Sequence, residues 1–343
     1  MLSSLERNSH RFGAMHVWLV GPTQGESHMI QRAKSAGIRI HHHPKSVAGF
    51  AAFRRFLGKK KIDIVHSHIG HPSGVYLRIA RKEGVKYRLA SWHNIQHLPA
   101  NHLKKRLVIH LQKMVAKNGT MGFAVSDGVR NSLSYRPLQR LTQVLYNGYD
   151  IIPGESPRIE GPLRLIHVGR FHPQKNHQFL WEIASQLNVP FKLVACGRHD
   201  HRECLPDADL LRDIANKWKV DDASEVVSLP GNCNDVRSRM LESDILLFPS
   251  VYEGLGGVII EAAALGCTCF VSDIAPHREI APHFDNVHLL DISSGVEVWI
   301  KAIESFKREP VNMKAILNQF ENSPFTVKHM DKRLFELYGM KGE

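Results

Sequence analysis

The chain has 343 residues, of which 43% are hydrophobic and 23% charged, a composition typical of a globular protein rather than a disordered or fibrous one. No apolar run approaches the roughly 20 residues that span a bilayer, and the first residues, MLSSLERNSHRF, lack the apolar core of a signal peptide. The sequence therefore argues against a transmembrane or secreted protein and predicts a cytoplasmic one, and its length predicts two domains.

Charge is distributed unevenly along the chain. Residues 1–150 contain 24 Lys and Arg against 6 Asp and Glu, whereas residues 151–343 contain 21 against 27. This asymmetry predicts an anionic partner for the first half: a membrane surface, a lipid phosphate or a nucleic acid. A solvated basic face is the alternative interpretation. No RNA- or DNA-binding motif supports a nucleic acid, and aromatic residues are not interleaved with the basic runs.

The cysteines and histidines do not predict a metal site. The five cysteines are an odd number without C-x2-C spacing, which indicates reduced core thiols. Three consecutive histidines, His41 to His43, close a short predicted strand in which successive side chains point to opposite faces. No cysteine or carboxylate accompanies these histidines to complete a site, and we also predict no metal at His66, His68 and His71.

The first half alternates between predicted strands and helices. A long basic amphipathic helix is predicted from Asn101 to Ala116, and Asp127 is a candidate N-cap for the helix after the next strand. The predicted strands are Met15 to Val20, Ile38 to His43, Ile62 to His66, Tyr87 to His93, Gly122 to Ser126 and Val144 to Tyr146. The other predicted helices are Glu26 to Ala36, Phe50 to Gly58 and Gly74 to Lys82.

The second half repeats this alternation after a break. Residues 151–162, IIPGESPRIEGP, contain three prolines and two glycines without periodicity, which predicts an interdomain hinge. We therefore expect an N-terminal domain at 1–150 and a C-terminal domain at 163–343, with the last helix packing back on the first domain. The predicted strands are Leu163 to Val168, Phe191 to Ala195, Val226 to Leu229, Ile245 to Phe248, Cys267 to Val271 and Val287 to Asp291. The predicted helices are Gln178 to Leu187, Ala208 to Trp218 and Val236 to Glu242, followed by a helical C-terminus.

The stretch from Asp244 to Asp273 carries the strongest functional signal. Two apolar runs of strand length flank a helix that should begin near Gly257, a unit that requires a parallel sheet. A helix N-terminus at the carboxyl end of a parallel strand favours an anionic ligand. Glu253 and Glu261, with seven residues between them, cannot bind a phosphate but can accept hydrogen bonds from sugar hydroxyls. A nucleotide sugar meets both demands.

This stretch resembles the E-x7-E signature of family 4 glycosyltransferases, with P-S-x-Y-E-G, then E-A-x-A-x-G, then a strand that ends in S-D. The resemblance implies an α/β GT-B fold, in which two doubly wound Rossmann-like domains face a cleft. It further implies that Glu253 binds the donor sugar and Glu261 the ribose diol. Gly254, Leu255 and Gly256 complete the implied donor site.

Three further segments match the family. The residues G-R-F-H-P-Q-K-N from Gly169 resemble the G-R-x-x-x-Q-K-N block, which implies that Arg170 and Lys175 hold the donor diphosphate. The segment R-L-A-S-W-H-N resembles R-x-A-H-S-H-N, with serine at the first histidine and His93 at the second, where it could contact the transferred sugar. The turn at Asn232 lies where relatives bind the base.

The resemblance predicts a retaining glycosyltransferase that moves a sugar from a nucleotide diphosphate-sugar to a saccharide or lipid-linked acceptor in surface polysaccharide or glycoconjugate synthesis. It implies no metal or other cofactor, since the nucleotide sugar is a substrate. The anionic inner face of the membrane is a further expected partner, to which the protein would bind peripherally. The resemblance also predicts that one βα unit is missing ahead of Met15, either because the start is placed too late or because this protein has lost that element. A GT-B nucleotide-sugar epimerase and a non-catalytic protein that binds anionic lipid or nucleic acid are the alternatives.

Overall fold

The computed structural model describes residues 7, 11–21, 28–43, 46–152, 154 and 160–338. The chain divides into two compact units. Unit 1 comprises Met1–Val125, Arg130–Asn147 and Val327–Glu343, and unit 2 comprises Ser126–Val129 and Gly148–Thr326. The predicted hinge at 151–162 includes residues 153 and 155–159, which lie outside the described residues, as does Glu26, the predicted start of the first helix.

Unit 1 is built from parallel strands and the helices that connect them. Its strands are β1 (His16–Val20), β2 (Arg39–His43), β3 (Ile64–Ser67), β4 (Tyr87–Trp92), β5 (Met121–Ala124) and β6 (Thr142–Val144). Strands β1 and β2 pair with each other, and a second sheet has the order β3-β4-β5-β6. The helices are α1 (His28–Ser35), α2 (Val47–Lys59), α3 (Ser73–Lys82), α4 (His102–Asn118), α5 (Asp127–Asn131), α6 (Arg136–Leu141) and α14 (Val327–Leu337).

Side-chain caps determine where two of these helices begin. The Asn101 carboxamide oxygen accepts hydrogen bonds from the Leu103 and Lys104 N–H groups, so α4 begins one residue after the predicted start. The prediction that Asp127 caps the next helix is wrong. Asp127 is the first helical residue, and the Val129 N–H donates to the Ser126 hydroxyl at 3.0 Å.

The C-terminal helix α14 contributes to the core of unit 1. Three of its residues, Met330, Leu334 and Phe335, are at most 6% exposed and pack against β4, β5 and the segment after β6. The Tyr338 hydroxyl, just beyond the helix, hydrogen-bonds Nδ1 of His66 at 2.7 Å. The members of this cluster are Leu89, Phe123, Leu145, Met330, Leu334, Phe335 and Tyr338.

Unit 2 contains one six-stranded parallel sheet. Its strands are β7 (Leu163–Val168), β8 (Phe191–Cys196), β9 (Val227–Gly231), β10 (Ile245–Phe248), β11 (Thr268–Ser272) and β12 (Val287–Leu290), and their order is β12-β11-β10-β7-β8-β9. The chain therefore starts in the middle of the sheet, fills one side and then the other, which is the doubly wound dinucleotide-binding order. The helices are α7 (His177–Gln186), α8 (Ala208–Trp218), α9 (Val236–Leu241), α10 (Gly257–Ala264), α11 (Ala275–Ile280), α12 (Val296–Glu304) and α13 (Met313–Asn322).

Burial on both faces of the sheet explains why the central strand β10 is a continuous apolar run. All four residues of β10 are buried, and Trp181 of α7 and Trp299 of α12 pack in the same core on one side. Both units thus confirm the predicted α/β architecture with parallel sheets in two domains.

Candidate functional site

The carboxyl ends of β7 and β10 define the candidate site in unit 2. These strands are neighbours, with Leu165 opposite Ile245, although 80 residues separate them in the chain. The strand order reverses between them, since β8 and β9 continue on one side and β11 and β12 on the other. In open α/β sheets, ligands bind outside the strand ends at such a switch point. The two predicted motifs begin here, at Gly169 and in the loop before α10.

Lys175 and Glu253 meet at this point. The Lys175 ammonium donates to Oε1 of Glu253 at 2.6 Å, and the two side chains are only 15% and 9% exposed. The ammonium also lies 4.3 Å from the ring centroid of Phe248, the last residue of β10. A Cβ atom on Gly169 would lie 3.1 Å from the Lys175 side chain, so glycine leaves room for this lysine. The structure therefore places the residue predicted to bind the diphosphate, Lys175, in direct contact with the residue predicted to bind the sugar, Glu253.

Two hydrogen bonds hold the loop after β7 against the loop after β10. The Val251 N–H donates to the Gln174 carbonyl at 2.9 Å, and the Gln174 side-chain amide donates to the Tyr252 carbonyl at 2.9 Å. Asn176 adopts a left-handed conformation with φ of 55°, which turns the chain into α7. Gln174 was not predicted as a site residue, but its place in the Q-K-N motif beside Lys175 was the available signal.

The N-terminus of α10 lies directly after Glu253. Gly256 has φ of 103°, a left-handed value that favours glycine, and Gly257 begins the helix in contact with the Tyr149 ring. The buried His277 ring lies below this turn, and its Nδ1 hydrogen-bonds the Ser272 carbonyl at 2.8 Å. Burial lowers the pKa of His277 to about 4, so the ring is neutral near pH 7. The helix start is therefore closely packed on His277 and Tyr149, with its first N–H groups at the strand end.

Glu261 lies in the second turn of α10. Burial raises the pKa of its carboxyl group. Among the residues that the structure describes, none hydrogen-bonds this carboxylate, in contrast to Glu253. A half-buried carboxylate without protein donors is suited to accept hydrogen bonds from ligand hydroxyls.

The remaining predicted residues of unit 2 lie at the rim of the site. The Arg170 side chain is 61% exposed and contacts the Asp200 carboxylate at 3.4 Å, while Arg198 binds the same carboxylate at 2.5 Å. Asn232 is exposed in the loop after β9, and no described contact joins it to Lys175 or Arg170. The structure thus groups Gly169, Lys175 and residues 253–256 tightly, and it leaves Arg170 and Asn232 at the edge.

Sequence patterns did not predict two residues that lie near the site, Ser126 and Glu279. The Ser126 hydroxyl donates to the Gly254 carbonyl at 2.5 Å, and Glu279 accepts hydrogen bonds from the Asp127 and Gly128 N–H groups at 2.8 and 2.9 Å. These contacts explain why Ser126–Val129 groups with unit 2. A separation of 128 residues between Ser126 and Gly254 leaves no local sequence signal for the contact.

His93 lies in unit 1, immediately after β4. Its Nε2 hydrogen-bonds Nδ1 of His68 at 3.0 Å, and the two rings stack. The residue is exposed on one side, but the side against His68 is shielded from water, which lowers the pKa of His93. Ser91, which stands where the family has its first histidine, hydrogen-bonds the His66 ring at 2.6 Å. Neutral histidines therefore line this strand edge.

Neither a metal cluster nor a membrane span occurs in the described part of the chain. No group of three or more His, Cys, Asp or Glu residues there has the arrangement needed to hold a metal ion, and this includes the histidines around His66. Of the helices described, none is both long enough and apolar enough to cross a bilayer.

Comparison with known families assigns both halves of the chain. Residues 149–321 match the family model for glycosyl transferases group 1, and residues 5–148 match that for a glycosyl transferase 4-like domain. The chain belongs to the group 1 glycosyltransferases. It is an enzyme of the predicted family, which sets aside the non-catalytic alternative.

This glycosyltransferase resembles several curated relatives. It is 25% identical over 336 residues to the capsular polysaccharide biosynthesis glycosyltransferase CapH of Staphylococcus aureus, with 95% of this chain and 90% of CapH covered. It is 24% identical over 308 residues to the UDP-Gal:alpha-D-GlcNAc-diphosphoundecaprenol alpha-1,3-galactosyltransferase of Escherichia coli, with 84% and 78% covered.

Solved structures share the fold. The structure of Anabaena Alr3699/HepE in complex with UDP superposes with a TM-score of 0.77 at 15% identity and covers 98% of this chain and 94% of that one. The apo form of the lipopolysaccharide outer core galactosyltransferase WaaB superposes with a TM-score of 0.64 at 18% identity, with 88% and 85% covered. These similarities confirm the predicted GT-B fold.

Proposed function

We propose that this glycosyltransferase transfers a sugar, with retention of configuration, from a uridine diphosphate-sugar to a saccharide or lipid-linked acceptor in surface polysaccharide synthesis. The observation that carries the proposal is the Lys175–Glu253 ion pair of 2.6 Å at the sheet switch point. The relatives' descriptions support the rest, since one names a capsular polysaccharide, one an undecaprenol-linked acceptor and one a bound UDP.

The ion pair suits the charge changes of the reaction. When the glycosidic bond breaks, negative charge develops on the leaving diphosphate, and a positioned ammonium stabilises that charge. Glu253 holds the Lys175 ammonium through Oε1, and the second carboxylate oxygen can accept a hydrogen bond from a donor-sugar hydroxyl. One residue pair thereby places the leaving group and the sugar relative to each other.

The other residues complete the donor site. The N–H groups at the start of α10, after Gly256, bind diphosphate oxygens, and Glu261 binds the ribose diol. Arg170 contributes a second positive charge by exchanging Asp200 for a phosphate. The acceptor hydroxyl attacks the anomeric carbon from the face that the diphosphate leaves, and its proton passes to a leaving phosphate oxygen. We assign acceptor binding to the basic first half, and we assign His93 the role of a hydrogen-bond partner for the transferred sugar.

Release of UDP from UDP-glucose and UDP-galactose, with and without an undecaprenyl diphosphate-linked GlcNAc acceptor, tests the proposal. We expect UDP release to depend on the acceptor and a new α-glycoside to form. Lys175→Ala and Glu253→Gln should each lower kcat by on the order of 100-fold, because each removes a group that acts on the transition state. Lys192→Ala, an exposed lysine on β8, is the matched control and should leave kcat unchanged.

Three outcomes would contradict the proposal. UDP release that does not require an acceptor, with a free C2-epimer as product, would identify the epimerase. A β-glycoside from an α-linked donor would refute retention. A loss in Lys175→Ala confined to KM would show that the lysine serves ground-state binding only.

A further inference from the structure

Two cysteines at the edge of unit 2 lie side by side. The Cys233 thiol donates to the Cys196 sulfur, and the two Sγ atoms are 2.9 Å apart. Both residues are free thiols, as are the other three cysteines. A disulfide bond is about 2.0 Å long, so the sulfurs need to approach by less than the length of one bond.

The strand register brings the two sulfurs together. Cys196 is the last residue of β8 and pairs with Gly231, the last residue of β9, and the Gly197 N–H donates to the Gly231 carbonyl at 2.8 Å. Gly231 has φ of 72°, which turns the chain back, so Cys233 returns to the end of β8. The Cys233 thiol is also 3.6 Å from the Gly231 carbonyl.

The two thiols differ in their access to solvent. Cys233 is half-buried, whereas Cys196 is only 1% exposed. Burial, followed by the hydrogen bond from Cys233, raises the pKa of Cys196 to about 12. The positive charge of Arg239 lowers the pKa of Cys196, but by less than burial raises it. An oxidant from solvent therefore meets Cys233 first, and Cys196 stands behind it as the resolving thiol.

Two of the other cysteines have different surroundings. Cys269 is buried, and its thiol lies near the Cys267 and Ile259 carbonyls. Cys204 is buried in the main core of unit 2. The sulfur-to-sulfur contact of 2.9 Å marks Cys196 and Cys233 as a close pair.

We propose that Cys196 and Cys233 form an oxidative modification site, which a peroxide converts into a disulfide that weakens nucleotide binding. The Cys233 sulfur attacks one peroxide oxygen, the O–O bond breaks, and the thiol proton passes to the leaving hydroxide, so the products are a Cys233 sulfenic acid and one water. The Cys196 sulfur then attacks the Cys233 sulfur, the S–O bond breaks, and a second water leaves. Two thiols and one hydrogen peroxide give one disulfide and two waters, with both sulfurs oxidised and the peroxide reduced.

The position of the bridge explains the expected effect, which rests on the proposed function. The loop it closes contains Asn232, the residue predicted to lie at the base. The Cys196 carbonyl accepts a hydrogen bond from the Gly169 N–H at 2.9 Å, so the same strand end also supports the diphosphate loop. Formation of the disulfide draws Cys233 toward the end of β8 and shifts the segment after β9 that contains Asn232. This shift should reduce the affinity for UDP several-fold.

Hydrogen peroxide treatment of the full-length folded protein tests the bridge itself. After free thiols are alkylated, a non-reduced digest should contain the Cys196 peptide joined to the Cys233 peptide, and dithiothreitol should separate them. Cys196→Ser and Cys233→Ser should each lack this species, whereas Cys204→Ser, a buried cysteine of the same unit, should keep it. Near-ultraviolet circular dichroism confirms that each variant is folded, and Cys→Ala versions replace any serine variant that is not.

Calorimetric titration with UDP tests the consequence. The oxidised wild type should bind UDP more weakly than the reduced protein, and Cys233→Ser should bind equally before and after peroxide. Oxidation of Cys233 to sulfinic acid without a cross-link, or a cross-link to another cysteine, would overturn the site. A cross-link with unchanged UDP affinity would overturn the regulatory effect alone. If the reduced protein binds no UDP, the proposed function fails while the bridge can still be detected.

Discussion

Glu261 is a half-buried carboxylate on α10 that no described residue hydrogen-bonds, and burial raises its pKa. If it binds the ribose diol, Glu261→Ala should weaken UDP binding by about 1.5–3 kcal/mol, the usual contribution of a hydrogen bond to a charged group. Isothermal calorimetry with UDP measures this loss, and Glu321→Ala, an exposed glutamate on α13, is the control. Equal UDP affinity in Glu261→Ala and wild type would remove the ribose assignment.

Buried histidines make the stability of unit 2 depend on pH. His177 stacks on Phe171 at 4.2 Å between ring centroids, and burial, followed by the charge of Lys175, lowers its pKa to about 4. The folded value lies below the unfolded value of 6.5, so the unfolded state binds more protons between these pH values. The contribution of the neutral ring is therefore complete above pH 6.5 and is lost as the pH falls toward 4.

This linkage gives a specific test at His177. His177→Phe keeps a ring against Phe171 but cannot be protonated. The wild type should lose about 2 kcal/mol of its free energy of unfolding between pH 7 and pH 5 through His177, and the variant should not. Urea unfolding at the two pH values gives the free energies, and the other titrating groups cancel because both proteins contain them. The same pH dependence in both proteins would contradict the assignment of a low pKa to His177.

At the residue scale, the chemistry of the site was more predictable than its contacts. The G-R-x-x-x-Q-K-N and E-x7-E motifs contain Lys175, Glu253 and Glu261 because each motif is local in sequence. The ion pair between Lys175 and Glu253 joins residues 78 positions apart, and it depends on β7 and β10 being neighbours. Local patterns predict strands but not their order, so this pair could be found only in the folded sheet.

Short helices that begin with proline were the elements that sequence patterns missed. Both α6 and α11 are six residues long and have proline in their first turn, Pro137 and Pro276. Proline there loses no hydrogen bond, since the first N–H groups of a helix have no intrahelical acceptor. Within six residues, however, apolar periodicity cannot distinguish a helix from a loop. Longer elements such as α8 were predicted with the observed bounds.

Helix α4 is amphipathic, but its two halves have different surroundings. In its C-terminal half, the Leu111 carbonyl and Met114 lie where a Cβ on Gly74 of α3 would stand, which indicates close helix packing. In its N-terminal half, Leu103 and Leu107 are 76% and 57% exposed beside three consecutive basic residues. The C-terminal half of the predicted amphipathic helix therefore packs on α3, and the exposed N-terminal half is suited to a membrane surface.

Vesicle binding tests whether this half of α4 contacts anionic lipid. We expect co-sedimentation with phosphatidylglycerol vesicles that weakens steeply between about 0.01 and 0.15 M salt, as the Debye length falls from about 30 to 8 Å. Two double variants should reduce binding. Leu103→Ser with Leu107→Ser removes the exposed apolar side chains. Lys104→Gln with Lys105→Gln removes two basic residues, each of which contributes about 1 kcal/mol. Val298→Ser, an exposed apolar residue of α12, should not. Absence of binding at low salt would leave a soluble acidic acceptor as the partner of the basic half.

At the scale of the whole molecule, the two ends of the chain belong to the same unit. The first 125 residues and the final helix α14 form unit 1, while most of the residues between them form unit 2. Leu334 is fully buried among Leu89, Phe123 and Leu145, which come from two strands and the segment after β6. The stability of unit 1 therefore depends on a helix that follows unit 2 in the sequence.

Leu334→Ala should destabilise unit 1 by about 2–5 kcal/mol, since it leaves a cavity in a packed core. Lys332→Ala, an exposed residue on the same helix, keeps the helix propensity high and should change stability by less than about 0.5 kcal/mol. Hydrogen exchange measured peptide by peptide assigns the effect to a unit, because only amides of unit 1 should lose protection while those in the core of unit 2 retain it. Equal loss of protection in both units would show that they unfold as one cooperative block, and unchanged protection in β4 and β5 would show that α14 does not hold the first sheet.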